Sequence, residues 1–285
     1  MKVVFFGSSR YVVPVLEMIH DQFDLPLVVT TEQNKMDAVP FYCESKKIEY
    51  LTIRKSADLI SNYQIEETMA NIGIVADFGI LIPVQLMNVF PYGIINIHPS
   101  LLPKYRGPTP VQNAILNGET ETGVTIIKLD KYLDHGPVVA QIGGEKINEN
   151  DTAKSLYERL FKSSAPLLLI VLNKFEHNNI VLSEQNHNLA TFTKILTRED
   201  GYFDYKNQQD LTKFDNFIRA YYPWPGAWTK AKLHSQGDEK IVKFLPGQKV
   251  QVEGGKEMEY KDLINGYAQA ESTFLDFLRK GLISG

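Results

Sequence analysis

The chain has 285 residues, 44% hydrophobic and 22% charged, with 14 prolines; that mixture excludes disordered, collagenous and low-complexity classes. Thirty basic against 34 acidic residues give a formal charge of −4, which excludes a protein held to nucleic acid mainly by a large positive field. The longest apolar run, Ala165–Leu172, falls far short of the ~18 residues that suggest a membrane span. A single cysteine, Cys43, excludes a disulfide framework and a Cys-based zinc site.

The opening MKVVFFGSS reads as a strand, Val3–Phe6, and a turn. Its apolar stretch is too short for a signal peptide and lacks a small-residue cleavage pattern, so a cytoplasmic protein is expected. A helical pattern follows from Tyr11 to about His20, then buried strands at Leu25–Thr30, Ile72–Ala76 and Gly93–Ile97. Thr109–Leu116 reads as a short helix, and Val124–Leu129 and Val138–Ile142 as β-rich runs on either side of a loop. This alternation predicts an α/β fold, a Rossmann-like open and mostly parallel sheet, whose ligands bind beyond the carboxyl ends of its strands. After Asp151, a plausible N-cap, apolar residues keep a helical period to Leu172, and Pro166 should kink or split that helix. The polar stretch 177–188 looks like a linker. Beyond it come a helix at Leu211–Tyr221, short β-like runs at Trp228–Leu233, Ile241–Leu245 and Lys249–Val252, and an amphipathic closing segment, Ala268–Leu282. The expected organisation is a catalytic domain over 1–176, a linker over 177–204 and a small β-rich, OB-like barrel domain over 205–285.

The most informative stretch is IINIHPSLLPKYRG, 94–107. Alternation along a strand puts Asn96 and His98 on one face, so an amide and an imidazole project together at its carboxyl end. By itself, His98 is equally well read as a satisfied core histidine. The loop DKYLDHG, 130–136, adds Asp130 and Asp134; both suit turn positions, and a carboxylate near His98 would orient the imidazole and favour its charged form. Spacing does not choose between these roles for Asp134.

The run from Ile94 to Gln141 closely resembles the core of the 10-formyltetrahydrofolate-dependent formyltransferases, a family with N-x-H-x-S-L-L-P, a G-x-T run in the next strand and an L-D-x-G loop. The resemblance implies the formyltransferase fold and a catalytic trio at Asn96, His98 and Asp134. ATFTKILTREDGYFDY (190–205), IRAYYPWPGAWT (218–229), VADFGILIP (75–83) and the amino-terminal strand and turn resemble the branch that acts on methionyl initiator tRNA. For that branch the resemblance implies 10-formyltetrahydrofolate as donor and methionyl initiator tRNA as partner; no obligatory protein partner is inferred. Three departures bear on the acceptor: Gly7-Ser8-Ser9-Arg10 replaces a G-T-P turn, the carboxyl-terminal domain is abbreviated, and a basic insertion after the second strand is reduced to Lys35.

Formyl transfer to an amine passes through a tetrahedral intermediate with negative charge on the former carbonyl oxygen. Each donor fixed where that charge develops contributes about 3–4 kcal/mol. Asn96 and His98 suit the oxyanion, and Asp134 suits holding His98 charged and accepting the amine's proton, directly or through water. No metal is required, and the six histidines lack HExxH-like spacing. On the donor side the expectation is Phe78, Gly79, Leu81 and Ile82 lining a pteridine pocket, with Asp130 in the loop at its polar edge. Ser100, Leu101, Leu102 and Pro103 would shape the passage between donor and acceptor. Ser8, Ser9 and Arg10 are assigned to the acceptor side, Arg10 fitting solvent equally well; Lys104 and Arg106 fit either a phosphate or a solvated loop face. The rival acceptor is a nucleotide-linked amino sugar, and a non-catalytic folate binder is a further alternative. A nicotinamide enzyme is disfavoured because GSSRYV lacks G-x-G-x-x-G.

Overall fold

In the computed structural model, residues 1–32, 37–207, 210–234 and 237–283 are described; Lys35 lies outside them. The chain divides into two compact units, Met1–Pro110 with Glu121–Glu145 and Tyr157–Thr193, and Val111–Thr120 with Lys146–Leu156 and Lys194–Gly285.

The first unit is organised on a seven-stranded sheet: β1 (Lys2–Gly7), β2 (Asp24–Thr31), β3 (Tyr50–Ile53), β4 (Ile72–Ala76), β5 (Ile94–His98), β6 (Glu121–Lys128) and β7 (Val138–Lys146). Their order is β3-β2-β1-β4-β5-β6-β7. The first five are parallel, and β6 runs antiparallel to β5. Strands covered on both faces must be apolar throughout rather than alternating, and Val3–Phe6 and all of β4 are buried accordingly. β3 is the strand that the sequence pattern does not reveal: four residues with one exposed threonine carry too little periodicity.

Helices α1 (Val13–Gln22), α2 (Ala38–Lys46), α3 (Ser56–Ile60), α4 (Gln64–Glu67), α5 (Val84–Met87), α6 (Pro110–Leu116) and α7 (Ala153–Glu176) connect the strands. Pro14 sits in the first turn of α1, where its missing N–H costs nothing. A 3-10 turn, Arg10–Val12, precedes it, with the Ser9 side chain accepting the Tyr11 N–H. Pro166 does not split α7, which runs unbroken for 24 residues. One lost hydrogen bond is outweighed by a buried stripe of Leu160, Phe161, Leu168, Val171 and Leu172. The cap also differs from expectation. Thr152 rather than Asp151 is the capping residue, its Oγ1 accepting the Ser155 N–H at 3.2 Å and Ser155 Oγ accepting the Thr152 N–H at 3.0 Å, while Asp151 Oδ1 accepts from Ser155 Oγ at 2.8 Å.

The second unit holds α8 (Leu211–Tyr221), β8 (Ala227–Lys232), β9 (Glu239–Leu245), β10 (Lys249–Val252), β11 (Glu257–Glu259), α9 (Tyr260–Gly266) and α10 (Ser272–Ile283). Its strands form an antiparallel sheet in the order β11-β10-β9-β8; among the described residues β8 and β11 do not pair to close the expected barrel, and Tyr202 bridges to Trp228 along β8. One face packs on Phe203, Phe214, Phe274 and Phe277. Asp210 caps α8 by accepting the N–H groups of Thr212 and Lys213. Of the stretch expected to link the domains, residues 177–193 belong to the first unit, where Ser183 bridges to Val138 and Phe192 to Arg106.

Candidate active site

β5 lies between β4 and β6, with Asn96 opposite Ile127 and His98 opposite Thr125. The strand pleat turns both side chains to one face, and the 130–136 loop brings Asp134 to them. Asn96 Nδ2 donates to Asp134 Oδ1 at 3.2 Å, and His98 Nδ1 stands 3.6 Å from Asp134 Oδ2. The same Oδ2 accepts the Gly107 N–H at 2.7 Å. Asp134 is 7% exposed and adopts φ +48°, a left-handed conformation that aims its carboxylate back at β5.

His98 Nε2 lies 2.9 Å from the Tyr105 carbonyl. A carbonyl only accepts, so Nε2 carries the hydrogen, and Nδ1 carries one only in the imidazolium. The ring nitrogen nearest Asp134 is therefore the one whose proton state matters.

The loop after His98 is folded on itself. Ser100 Oγ donates to the Lys104 carbonyl at 2.7 Å and its N–H to the His98 carbonyl at 2.9 Å. Thr125 Oγ1 donates to the Ser100 carbonyl at 2.6 Å and accepts from Leu102 N at 3.1 Å. Ser100 and Leu102 are buried, with the Ser100 hydroxyl and the Leu102 N–H committed to this scaffold; Leu101 packs beside Gly123, and Pro103 is half-buried. Lys104 is exposed.

Arg106 differs from both of its expected roles. It is 3% exposed, with Nε and Nη2 donating to Gln185 Oε1 at 3.2 and 2.7 Å and Nη2 to His187 Nδ1 at 2.8 Å. A guanidinium turned inward meets neither phosphate nor bulk solvent. Burial lowers its pKa, and Asp134 and Asp130 oppose the shift; the group stays charged. The His187 ring stacks on His135 at 4.0 Å between centroids, and His135 Nδ1 is 2.7 Å from Asp130 Oδ2. Asp130 also accepts the Tyr132 N–H through Oδ1 at 2.9 Å, an Asx turn.

Two open clefts lie at the carboxyl ends of β1–β4, and neither is lined by Asn96, His98 or Asp134. One, of about 510 Å³, gathers Ser8, Ser9, Phe78 and Gly79 with Glu32, Arg54 and Asp77. The other, of about 650 Å³, runs from Glu32 and Arg54 to Tyr63 and Glu67. Ser8 Oγ donates to the Phe78 carbonyl at 3.0 Å, and Arg10 is exposed. The Phe78 ring is buried edge-on against Phe6 at 5.6 Å, so it packs the core and leaves its backbone to the cleft. Gly79 (φ +76°) has open space where a side chain would be, Leu81 is 72% exposed and Ile82 packs partly on the core. Solvent reaches Asp77, yet the surrounding protein pushes its carboxyl above the usual range while a Ser9 hydrogen bond pulls it down. Among the described residues no group of three or more His, Cys, Asp or Glu side chains is gathered to hold a metal ion, and no helix is long and apolar enough to cross a membrane.

Sequence patterning assigned no role to Tyr105, Gly107 and Gln185, which hold the trio in place together with Thr125 of the G-x-T run. Only Gly107 carried a local signal: its φ of +108° requires glycine, and a Cβ there would stand 2.7 Å from Thr193 Oγ1.

The family model described as Formyl transferase matches residues 18–172. A methionyl-tRNA formyltransferase of Caldanaerobacter subterraneus is 29% identical over 311 residues, covering 96% of this chain and 100% of its own. One of Koribacter versatilis is 32% identical over 303 residues, covering 94% and 96%. Among solved structures, a 4-N formyltransferase from Francisella tularensis superposes with TM-score 0.69 at 20% identity, over 86% of this chain and 97% of that one. With its fold, its strand-end trio and these matches in agreement, the chain belongs to the formyl transferase family.

Proposed function

We propose that the protein transfers the formyl group of 10-formyltetrahydrofolate to the free amine of methionyl initiator tRNA. The observation that carries the chemistry is the convergence of Asn96, His98 and Asp134 at the end of β5. Asn96 commits one Nδ2 hydrogen to Asp134 and keeps the other for the oxygen that becomes negative. Nδ1–H of the His98 imidazolium is the second donor, since Nε2 is occupied by Tyr105. In a site this buried, such preorganised donors act where water cannot screen them. Asp134 keeps the imidazolium and the amide oriented and takes the proton lost by the attacking amine, directly or through water.

A folate-type formyl donor fits the residues present. The open surface at Gly79 is a cradle that any side chain would fill, and Gly79, Leu81, Ile82 and the backbone of loop 130–134 are the groups to hold it. When bound, the donor supplies a formyl carbon on a nitrogen leaving group. Ser8, Ser9 and Arg10 are the groups for the acceptor side.

The tRNA acceptor is supported by the full-length similarity to relatives named for it and by the second unit's outward sheet face. Strand alternation and register put Trp228, Lys230, Lys232, Lys243 and Lys249 on that face, with Glu239 opposite Lys232 and Glu257 and Glu259 on the edge strand. The Arg198 guanidinium lies 5.7 Å over the Trp228 ring. Lysines beside an aromatic suit a sugar-phosphate backbone. The test is tRNA affinity against salt for wild type and Lys230→Glu/Lys243→Glu. Each lysine on phosphate should lower the log–log slope by about 1; an affinity independent of salt and of both changes would remove this face from the reading.

A further inference from the structure

Resting on the formyl-transfer reading, the structure points to a role for a residue outside the trio: we propose that Gln185 is a positioning residue that holds Asp134 in its working orientation by tying together the two loops of the site. Its amide uses its full bonding capacity. Nε2 donates to the carbonyls of Asp134 at 3.0 Å and Gly136 at 2.7 Å, and Oε1 accepts twice from Arg106. One side chain, 6% exposed, thus grips the loop that carries Asp134 and the loop that supplies the Tyr105 carbonyl and the Gly107 N–H.

Both gripped loops are held in conformations that L-residues rarely adopt, Asp134 at φ +48° and Tyr105 at φ +62°. Such backbone persists only where its surroundings over-determine it. The segment containing Gln185 supplies that constraint. Thr191 accepts the Tyr105 N–H through Oγ1 at 2.8 Å, and its carbonyl accepts the Arg106 N–H at 2.8 Å. Thr193 N–H donates to the Arg106 carbonyl at 2.7 Å. Gly136 has no slack, because a Cβ there would lie 1.8 Å from the Lys128 carbonyl. The stretch that reads as linker in the sequence is a strap across the active-site loops, with Gln185 as its innermost fastening.

The amide is needed specifically. A glutamate at 185 has the same size and pairs with Arg106, but it presents oxygen to two carbonyls and releases the Asp134 backbone. The test uses the full chain with 10-formyltetrahydrofolate and methionyl initiator tRNA, comparing wild type, Gln185→Glu, Asp134→Asn and the double variant. Circular dichroism monitors folding, and Gln185→Met serves as a second variant without either donor. The expected result is kcat lowered about 10- to 100-fold in folded Gln185→Glu, KM for both substrates within about twofold of wild type, and a double variant no slower than Asp134→Asn. Amide hydrogen exchange at Gly107, whose N–H is held by Asp134, should quicken at least about tenfold in either Gln185 variant. Unchanged kcat per folded molecule, or losses that multiply in the double variant, would overturn the inference. If wild type itself shows no turnover, the functional reading fails, and the Gly107 exchange rate still decides the role of Gln185: no change would refute it.

Discussion

Replacing Asp134 by asparagine separates the shape of the trio from its charge. The carboxylate receives a hydrogen from Asn96 on one oxygen and from Gly107 on the other. An asparagine can accept on one side only. If its oxygen stays on Gly107, its amide faces the Asn96 amide, and Asn96 must turn over, moving its spare N–H away from the reacting oxygen. With the opposite orientation, the Gly107 N–H is buried without a partner at a cost of about 1–3 kcal/mol. Either way the negative charge beside His98 Nδ1 is gone, and with it the acceptor for the amine's proton. Loss of a positioned base typically costs 10²- to 10⁴-fold in rate, about 3–5 kcal/mol at about 1.4 kcal/mol per tenfold. The expected outcome for Asp134→Asn is therefore a folded protein, destabilised by no more than about 3 kcal/mol in urea, with kcat reduced at least about 100-fold. Single-turnover formyl transfer reads the chemical step directly. A variant within about threefold of wild type would refute the argument that the carboxylate charge takes part.

Other consequences follow from the same geometry. Cys43 is fully buried, and burial pushes its thiol up to about 12; at pH 8 about one part in 10⁴ is thiolate, so a thiol reagent should label it only when the protein is unfolded, and rapid native labelling would contradict its placement. Asp200 is held down to about 2 by the Lys194 ammonium and the Thr197 N–H. Because the folded value lies below the ordinary 3.8, its contribution is complete above about pH 4 and is lost as pH falls toward 2; Asp200→Asn should narrow the stability gap to wild type across that window, and a constant gap would be the contrary result. Gly136→Ala should cost about 3 kcal/mol or more, because the new Cβ collides with backbone; an unchanged urea midpoint would show that the loop yields.

Legibility in the sequence tracked how local each determinant is. The parallel strands other than β3 were visible because a strand buried on both faces must be apolar along its length, as in Val3–Phe6 and Ile72–Ala76. Asn96 and His98 were readable as a same-face pair from a two-residue period. Asp134 could be named only through the family resemblance, since its approach to β5 depends on a left-handed turn that no periodicity encodes. Arg106 was misread because a cation in a Pro-rich loop ordinarily faces water, whereas its partners lie 79 and 81 positions away at Gln185 and His187. Gln185 sits in a polar stretch with the composition of a linker, and nothing local distinguishes it. Of the two outcomes expected at Pro166, the split does not occur: its local cost is real, but the buried stripe spanning α7 outweighs it and the helix continues through it.

Moving a formyl group from a folate donor to a methionyl-tRNA amine is the activity proposed for this site. The most direct test is transfer of labelled formyl from 10-formyltetrahydrofolate to methionyl initiator tRNA, run beside a nucleotide-linked amino sugar, with Asn96→Ala as the control. The expected result is label in the tRNA, abolished or reduced at least about 100-fold in the variant, and none in the sugar. Label in the sugar alone would keep the chemistry and overturn the acceptor; label in neither, with folded protein, would contradict the proposed activity itself.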